Sequence, residues 1–363
     1  MNGSVLPVRC GGEFCYNIHI EDTWDMLPEA LRSLDISSRR VCIVTDSNVG
    51  TLYADAVKEV LTPLCREISV FTLPAGEEHK NLDEIRKLYL HLIGQQFDRN
   101  DILFSLGGGV VGDMTGFAAA TFLRGIRFIQ LPTTLLSQVD SSIGGKTGVD
   151  LEQYKNMVGA FHMPSLVYIN LAVLGTLSDE QFASGMGEVL KHGLIRDGEY
   201  YEYLINHMEE IMEKDLSVLA HVVEGSCKIK RSVVEADPTE KGERALLNYG
   251  HTLGHAIEKL KNFTLPHGHC VALGCIAAGY ISWKRGLLDE GEFYELRDMM
   301  VGFDLPIGFD ELIPEDIIEA SRHDKKMDAG KIRFILLTKI GHAKIVTDVT
   351  EDEMLKALRF ISY

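Results

Sequence analysis

An apolar run that ends in three consecutive glycines constrains this chain more than any other stretch. Ile102-Leu103-Phe104-Ser105-Leu106 has the length and composition of a buried strand, and Gly107-Gly108-Gly109-Val110-Val111-Gly112-Asp113 follows it directly. Strand, glycines and helix start is the order that brings backbone N–H groups close to a phosphate. A Cβ would obstruct both the tight turn and the approach of a diphosphate. Gly107, Gly109 and Gly112 satisfy G-x-G-x-x-G, the spacing of a dinucleotide-binding turn. Such a connection is often only a turn, so its meaning depends on what surrounds it.

Around it lies an alternation of short apolar runs and amphipathic segments, the pattern of a parallel α/β sheet. Strands are expected at 41–44, 68–73, 102–106 and 128–131, with helices at 53–61, 82–93 and 110–122. Segments 74–80 and 132–134 then fall at carboxyl ends of strands, where open α/β sheets bind ligands. Beyond about Leu177 helical periodicity takes over, in 179–196, 198–213, 216–236, 248–261, 270–286 and 290–301. A late hairpin is expected from 331–337 and 344–346. The fold class is thus an α/β Rossmann-like N-terminal domain, residues 1–175, and a mostly helical C-terminal domain, residues 176–363. A cleft between two domains is a common place for an active site.

The 363 residues suit two domains with substantial cores. A formal net charge of −17 disfavours nucleic acid, whose binding needs an excess of Lys and Arg. It leaves room for a small anionic substrate held by a few local cations. Cys10, Cys15, Cys42, Cys65, Cys227, Cys270 and Cys275 are odd in number and contain no C-x-x-C, so free thiols in a reducing compartment are expected. The first residues lack a basic stretch followed by an apolar one, and no apolar tract reaches the length of a membrane span. A cytoplasmic protein with no membrane partner is expected.

Two regions carry chemistry. Asn248-Tyr249-Gly250-His251-Thr252-Leu253-Gly254-His255-Ala256-Ile257-Glu258 puts His251, His255 and Glu258 on one helical face. Gly250 and Gly254 imply that something approaches this helix closely. Downstream is Pro266-His267-Gly268-His269, and upstream is an apolar helix bearing Glu188, Lys191 and His192. One Glu and two His with an open position is a catalytic zinc arrangement, but five histidines compete for the two places. The second region, Gly144-Gly145-Lys146-Thr147, mimics the end of a Walker A loop. The upstream glycine is missing from Asp140-Ser141-Ser142-Ile143, and Leu135 to Val139 looks helical, which disfavours an NTP-hydrolysing loop. Lys146 remains an anchor for a substrate anion. Other cations gather at Lys155, Lys228, Lys230, Arg231, Arg244 and Lys325-Lys326. Surface solvation is their ordinary role. If the histidine helix begins early, Arg244 faces the same site as His251.

With these residues assembled, the chain resembles the 3-dehydroquinate synthase family of sugar-phosphate cyclases. The resemblance runs in order through 107–113, Arg124-Gly125, 132–136, 139–148, Lys155-Asn156, 187–189, 247–258 and His267-Gly268. It implies an N-terminal NAD domain, a C-terminal helical domain and a homodimer. It also implies conversion of 3-deoxy-D-arabino-heptulosonate 7-phosphate to 3-dehydroquinate and phosphate. In that chemistry NAD transiently oxidises one hydroxyl, phosphate is eliminated, the hydride returns, and an aldol closure follows.

Carried over by motif, the metal ligands are Glu188, His251 and His267, for zinc or cobalt. NAD is expected at Asp46, Glu77, Lys80, Gly108, Gly109, Asp113, Thr133, Thr134, Lys146, Lys155 and Thr176. Substrate is expected at Asp140, Lys146, Asn156, Lys191, Lys230, Arg244, Asn248, His255 and one of Lys325 or Lys326. Arg124 is expected to reach the phosphate held by a neighbouring subunit. His269-Cys270 departs from the acidic residue and alanine usual after His-Gly, which bears on the surroundings of His267. The rivals are a related cyclase acting on a substrate without a carboxylate, and a polyol dehydrogenase that would release NADH. A carboxylate clamp of Lys146, Lys230, Arg244 and Asn248 favours dehydroquinate synthase.

Overall fold

The computed structural model describes residues 3–152, 154–238, 240, 242–322, 327–328 and 331–363. It clusters into two compact units, Met1–Leu177 with Leu219–Thr239, and Ser178–Val218 with Glu240–Tyr363. Residues 219–239 therefore join the N-terminal unit, although their helical pattern groups them with the C-terminal helices in sequence. Side-chain contacts explain this. Cys227 Sγ donates to the Gln138 carbonyl (3.5 Å), and Glu235 Oε1 accepts the Arg9 N–H (2.8 Å). Periodicity identifies a helix but not the body its apolar face joins.

The first unit contains β1 (Ser4–Cys10), β2 (Glu13–Glu21), α1 (Leu27–Leu31), β3 (Arg40–Asp46), α2 (Val49–Leu61), β4 (Glu67–Leu73), α3 (Leu82–Gly94), β5 (Ile102–Gly107), α4 (Gly109–Thr121), β6 (Arg127–Pro132), β7 (Lys146–Leu151), β8 (Tyr154–Phe161) and β9 (Leu166–Asn170). Among the described residues seven strands form one sheet in the order β1-β2-β9-β6-β5-β3-β4. All neighbours are parallel except β1 with β2. Strand side chains alternate between faces, so each face needs its own apolar cover. Ile102, Phe104 and Leu106 of β5 join one cluster with Val57, Leu61 and Tyr168, while Leu103 joins the other with Leu88, Met114 and Phe128. That double burial is why β3, β5 and β6 read as short continuous apolar runs.

Chain order reverses at β3, which leads to β4 on one side and pairs with β5 on the other. The carboxyl ends of β3 and β5 flank this switch point, the usual ligand crevice of such sheets. Asp46 ends β3 and Gly107 ends β5. The edge pair β1–β2, strand β9 and the hairpin β7–β8 (antiparallel, Lys146 opposite Phe161) were not expected from sequence. β8 exposes five of its eight residues, and β1 alternates around a proline, so neither shows the continuous apolar run of the central strands.

The second unit holds α5 (Asp179–Arg196), α6 (Gly198–Asn206), α7 (Met208–Met212), the first turn of α8 (Leu216–Ala236), α9 (His251–Leu260), α10 (His267–Lys284), α11 (Glu290–Gly302), α12 (Pro314–Arg322) and α13 (Glu351–Phe360). Short antiparallel pairs join β10 (Met327–Asp328) to β11 (Lys331–Ile332) and β12 (Phe334–Lys339) to β13 (His342–Val346). The expected 198–213 helix breaks at His207, and the expected 248–261 helix starts only at His251. α5 is buried from Phe182 to Ile195 and α10 through most of its length, so both are central helices. No helix among the described residues is long and apolar enough to cross a membrane.

Candidate active site

The metal-type residues come from α5, α9 and α10, and glycines set how closely these helices pack. A Cβ on Gly268 would lie 1.8 Å from the Ser184 carbonyl oxygen, so α10 starts directly on the α5 backbone. Gly250 adopts φ +77, a left-handed conformation that ends the turn of residues 243–248 and starts α9. A Cβ there would meet the Cys275 nitrogen at 2.8 Å. The partner implied by Gly250 and Gly254 is thus α10, at backbone contact.

That packing brings Glu188, His251 and His267 together. Glu188 Oε1 lies 3.5 Å from His251 Nε2 and 3.7 Å from His267 Nε2. Ligand atoms about 2.1 Å from a shared tetrahedral centre sit about 3.4 Å apart, so both Glu188 separations suit a zinc-like ion. His255 stands beside them, and nitrogens of His251, His255 and His267 lie within 4.8 Å of one another. Backbone and side-chain bonds decide how the rings point. His251 Nδ1 donates to the Tyr249 carbonyl (3.0 Å) and His267 Nδ1 to Glu258 Oε2 (3.2 Å), which turns both Nε2 atoms toward Glu188. Burial disfavours a charged His267, but hydrogen bonds to Glu188 and Glu258 outweigh it and push its pKa up to about 9. The surrounding carboxylates favour positive charge at this point, a demand that a divalent cation meets.

Lys191 donates to Glu188 Oε2, and both side chains are completely buried. Charges this deep are rare without a functional or paired role. Arg244 is also buried, but it belongs to the separate turn Glu243–Asn248 and not to the histidine helix. Its expected place on an extended α9 is corrected by the left-handed Gly250. Asn248 donates to Glu240 Oε1 (2.9 Å).

In the first unit, five expected cofactor and substrate residues form one charged network. Lys80 Nζ donates to Asp113 Oδ2 (2.7 Å) and Asn156 Oδ1 (2.8 Å), while Lys155 Nζ lies 3.2 Å from Glu77 Oε1. Burial opposes the Lys80 charge, yet Asp113 and Glu77 outweigh it and hold the ammonium well above its usual range. Burial raises Asp113 despite that partner. Lys230 Nζ bonds both the Asp140 carbonyl and, at 2.6 Å, its carboxylate.

At the switch point, Gly108 precedes the first residue of α4, and Gly109 opens the helix. A Cβ on Gly109 would sit 3.0 Å from Ser141 Oγ. Thr133 follows β6 and is buried, and its hydroxyl has no partner among the described residues. Thr134 Oγ1 bonds Ser137 Oγ (2.9 Å). A helix N-terminus without Cβ atoms, beside a buried spare hydroxyl, is a donor set that fits a nucleotide diphosphate. Asp46 Oδ1 accepts the N–H groups of Asn48 (2.8 Å) and Val49 (2.9 Å), and Thr176 meets the Tyr53 hydroxyl (2.5 Å).

Lys146 follows a turn at Gly144 and Gly145 and opens strand β7, so it does not sit at a helix start as a Walker lysine would. Arg124 is exposed in a tight turn with φ +69. Lys325 and Lys326 lie outside the described residues. Sequence reasoning missed Tyr249 and Asp150, and it noted Glu258 only for its helical face. Asp150 Oδ1 accepts the Asn156 N–H (2.7 Å). Backbone acceptors and carboxylates remote in sequence leave no motif, although Glu258 lay seven residues beyond His251.

Two family models match consecutive parts of the chain, 3-dehydroquinate synthase N-terminal over residues 70–184 and 3-dehydroquinate synthase C-terminal over 185–327. The chain belongs to the 3-dehydroquinate synthase family. The 3-dehydroquinate synthase of Acetivibrio thermocellus is 41% identical over 341 residues, covering 94% of each chain. That of Symbiobacterium thermophilum is 45% identical over 327 residues, 89% of this chain and 91% of its own. Among solved structures, 2-epi-5-epi-valiolone synthase from Streptomyces hygroscopicus subsp. jinggangensis, with NAD+ and Zn2+ bound, matches with TM-score 0.90 and 26% identity. It covers 98% of this chain and 99% of its own. A 2-deoxy-scyllo-inosose synthase complexed with carbaglucose-6-phosphate, NAD+ and Co2+ matches with TM-score 0.88 and 25% identity, covering 98% and 100%.

Proposed function

We propose that this chain converts 3-deoxy-D-arabino-heptulosonate 7-phosphate to 3-dehydroquinate and phosphate, as a metal- and NAD-dependent carbon–oxygen lyase of the shikimate pathway. The observation that carries the reading is the contrast in identity. Relatives of that name are 41% and 45% identical, whereas the cyclases acting on other sugar phosphates, which share the fold, stand at 25% and 26%.

Residues 1–175 are assigned to NAD and residues 176–363 to metal and substrate. Glu188, His251 and His267 would hold zinc or cobalt, supported by their spacing and by the bonds from Tyr249 and Glu258. Gly108, Gly109, Asp113, Thr133 and Thr134, with Asp46, Glu77, Lys80, Lys146, Lys155 and Thr176, would hold NAD. When bound, the metal supplies Lewis-acid polarisation of substrate oxygens, and NAD supplies a hydride acceptor that gives the hydride back. His255, beside two ligand rings, has an imidazole nitrogen suited to take and return a proton. Lys191 keeps a fixed ammonium against Glu188. Asp140, Lys146, Asn156, Lys230, Arg244, Asn248 and Lys326 are assigned to substrate oxygens, and Arg124 to the phosphate of the neighbouring subunit in a homodimer. A cytoplasmic location goes with this role.

Purified protein supplied with NAD and a divalent metal should release inorganic phosphate from the heptulosonate phosphate with no net NADH absorbance. Steady NADH accumulation, or turnover of glucose 6-phosphate in place of the heptulosonate, would overturn the assignment.

A further inference from the structure

We propose that Cys10 and Cys15 form a reversible disulfide across the β1–β2 hairpin, closed by exchange with a low-molecular-weight disulfide. The hairpin turns at Gly11 and Gly12, with φ +62 and +87, so Cys10 lies opposite Glu13. The register then slips, pairing Arg9 with Phe14 and Val8 with Tyr16, and leaves Cys15 as the extra residue of a bulge. The bulge leaves Cys15 on the strand facing Cys10, near enough for Cys10 to disfavour its ionisation. Both are partly exposed, unlike the buried Cys42, Cys227, Cys270 and Cys275.

Burial and the neighbouring Cys10 push the Cys15 thiol up to about 12, which keeps it protonated near neutrality. Cys10, next to the exposed Gly11-Gly12 turn, is the thiol that meets the oxidant. Its thiolate displaces one thiolate from the external disulfide and forms a mixed disulfide. Cys15 then loses its proton to water and attacks the Cys10 sulfur, expelling the second thiolate. The external disulfide is reduced to two thiols, and the protein loses two hydrogens.

The pair sits next to a residue that matters elsewhere. Tyr16 follows Cys15 and is buried, and its phenol oxygen accepts the Gly144 N–H (3.2 Å) in the turn that leads to Lys146. Closing the bulge pulls on this anchor. The consequence for the anion held by Lys146 rests on the function proposed above, whereas the disulfide itself does not.

The test treats holoenzyme, loaded with NAD and zinc, with oxidised glutathione and examines the tryptic peptide 10–32, whose cysteines are Cys10 and Cys15. The expected result is a loss of two hydrogens, reversed by dithiothreitol, with Cys15→Ser instead trapping one glutathione on Cys10. An unmodified peptide, a persistent glutathione adduct in the native sequence, or linkage to another cysteine would overturn the pair. Oxidation should also raise KM for the sugar phosphate by roughly fivefold, the loss of one ordinary hydrogen bond, with kcat little changed. Tyr16→Phe should reproduce that rise without oxidant. An internal disulfide with unmoved KM would overturn the coupling while leaving the disulfide established.

Discussion

Glu258 shows how one carboxylate outside the ligand set governs the site. Its bond to His267 Nδ1 fixes the ring so that Nε2 faces Glu188. Glu258→Gln keeps a hydrogen-bonding group but removes the charge, so zinc affinity should fall by roughly 10–100-fold, measured by competition with a chromophoric chelator. Unchanged affinity would assign His267 orientation to packing alone. His251→Ala removes a proposed ligand outright and should abolish both metal binding and phosphate release. Full activity in that variant would take His251 out of the set.

At the scale of elements, close helix packing and a charged latch do different work. Gly268→Ala places a methyl 1.8 Å from the Ser184 oxygen, so α5 and α10 must separate. A cost of about 1–3 kcal/mol in urea unfolding is expected, together with weaker metal binding because His267 moves with the helix. Arg285, just beyond α10, holds Glu353 in the first turn of α13 (2.6 Å) and Asp348 (2.9 Å). The hydrogen bond to Arg285, against some burial, draws Glu353 down to about 2. A carboxylate with a depressed pKa stabilises the fold above its unfolded value near 4.5 and loses that contribution as pH falls toward 2. Arg285→Ala should therefore destabilise most at neutral pH, with the difference from the native protein closing between pH 4.5 and 2 in calorimetry.

At the scale of the molecule, the proposed homodimer makes a prediction that monomers cannot meet. An Arg124→Ala subunit has intact metal ligands and a His251→Ala subunit has an intact Arg124. Mixing the two inactive variants through reversible unfolding should restore roughly a quarter of native activity, since half the dimers are mixed and each has one complete site. No recovery would confine Arg124 to its own subunit. Strands β3 to β6 and most long helices were legible because each is an apolar run or a clear helical period, whereas β9, a central and fully buried strand, was not read. α5 matches its expected bounds, 179–196. β1, β2 and β8 escaped notice, because strands with one wet face lack that signal. The family motifs marked Glu188, His251 and His267, yet periodicity alone left five histidines in competition.

Sequence by itself determined the chemical inventory of this protein. Glycines after an apolar strand, histidines one helical turn apart and a buried Glu-Lys pair are local facts, and local spacing dictates them. Tertiary structure alone decided which nitrogens face Glu188, that Gly250 separates Arg244 from the histidine helix, and that residues 219–239 join the N-terminal unit. Those outcomes depend on backbones distant in the chain meeting without a Cβ between them, and no local pattern records which backbones meet.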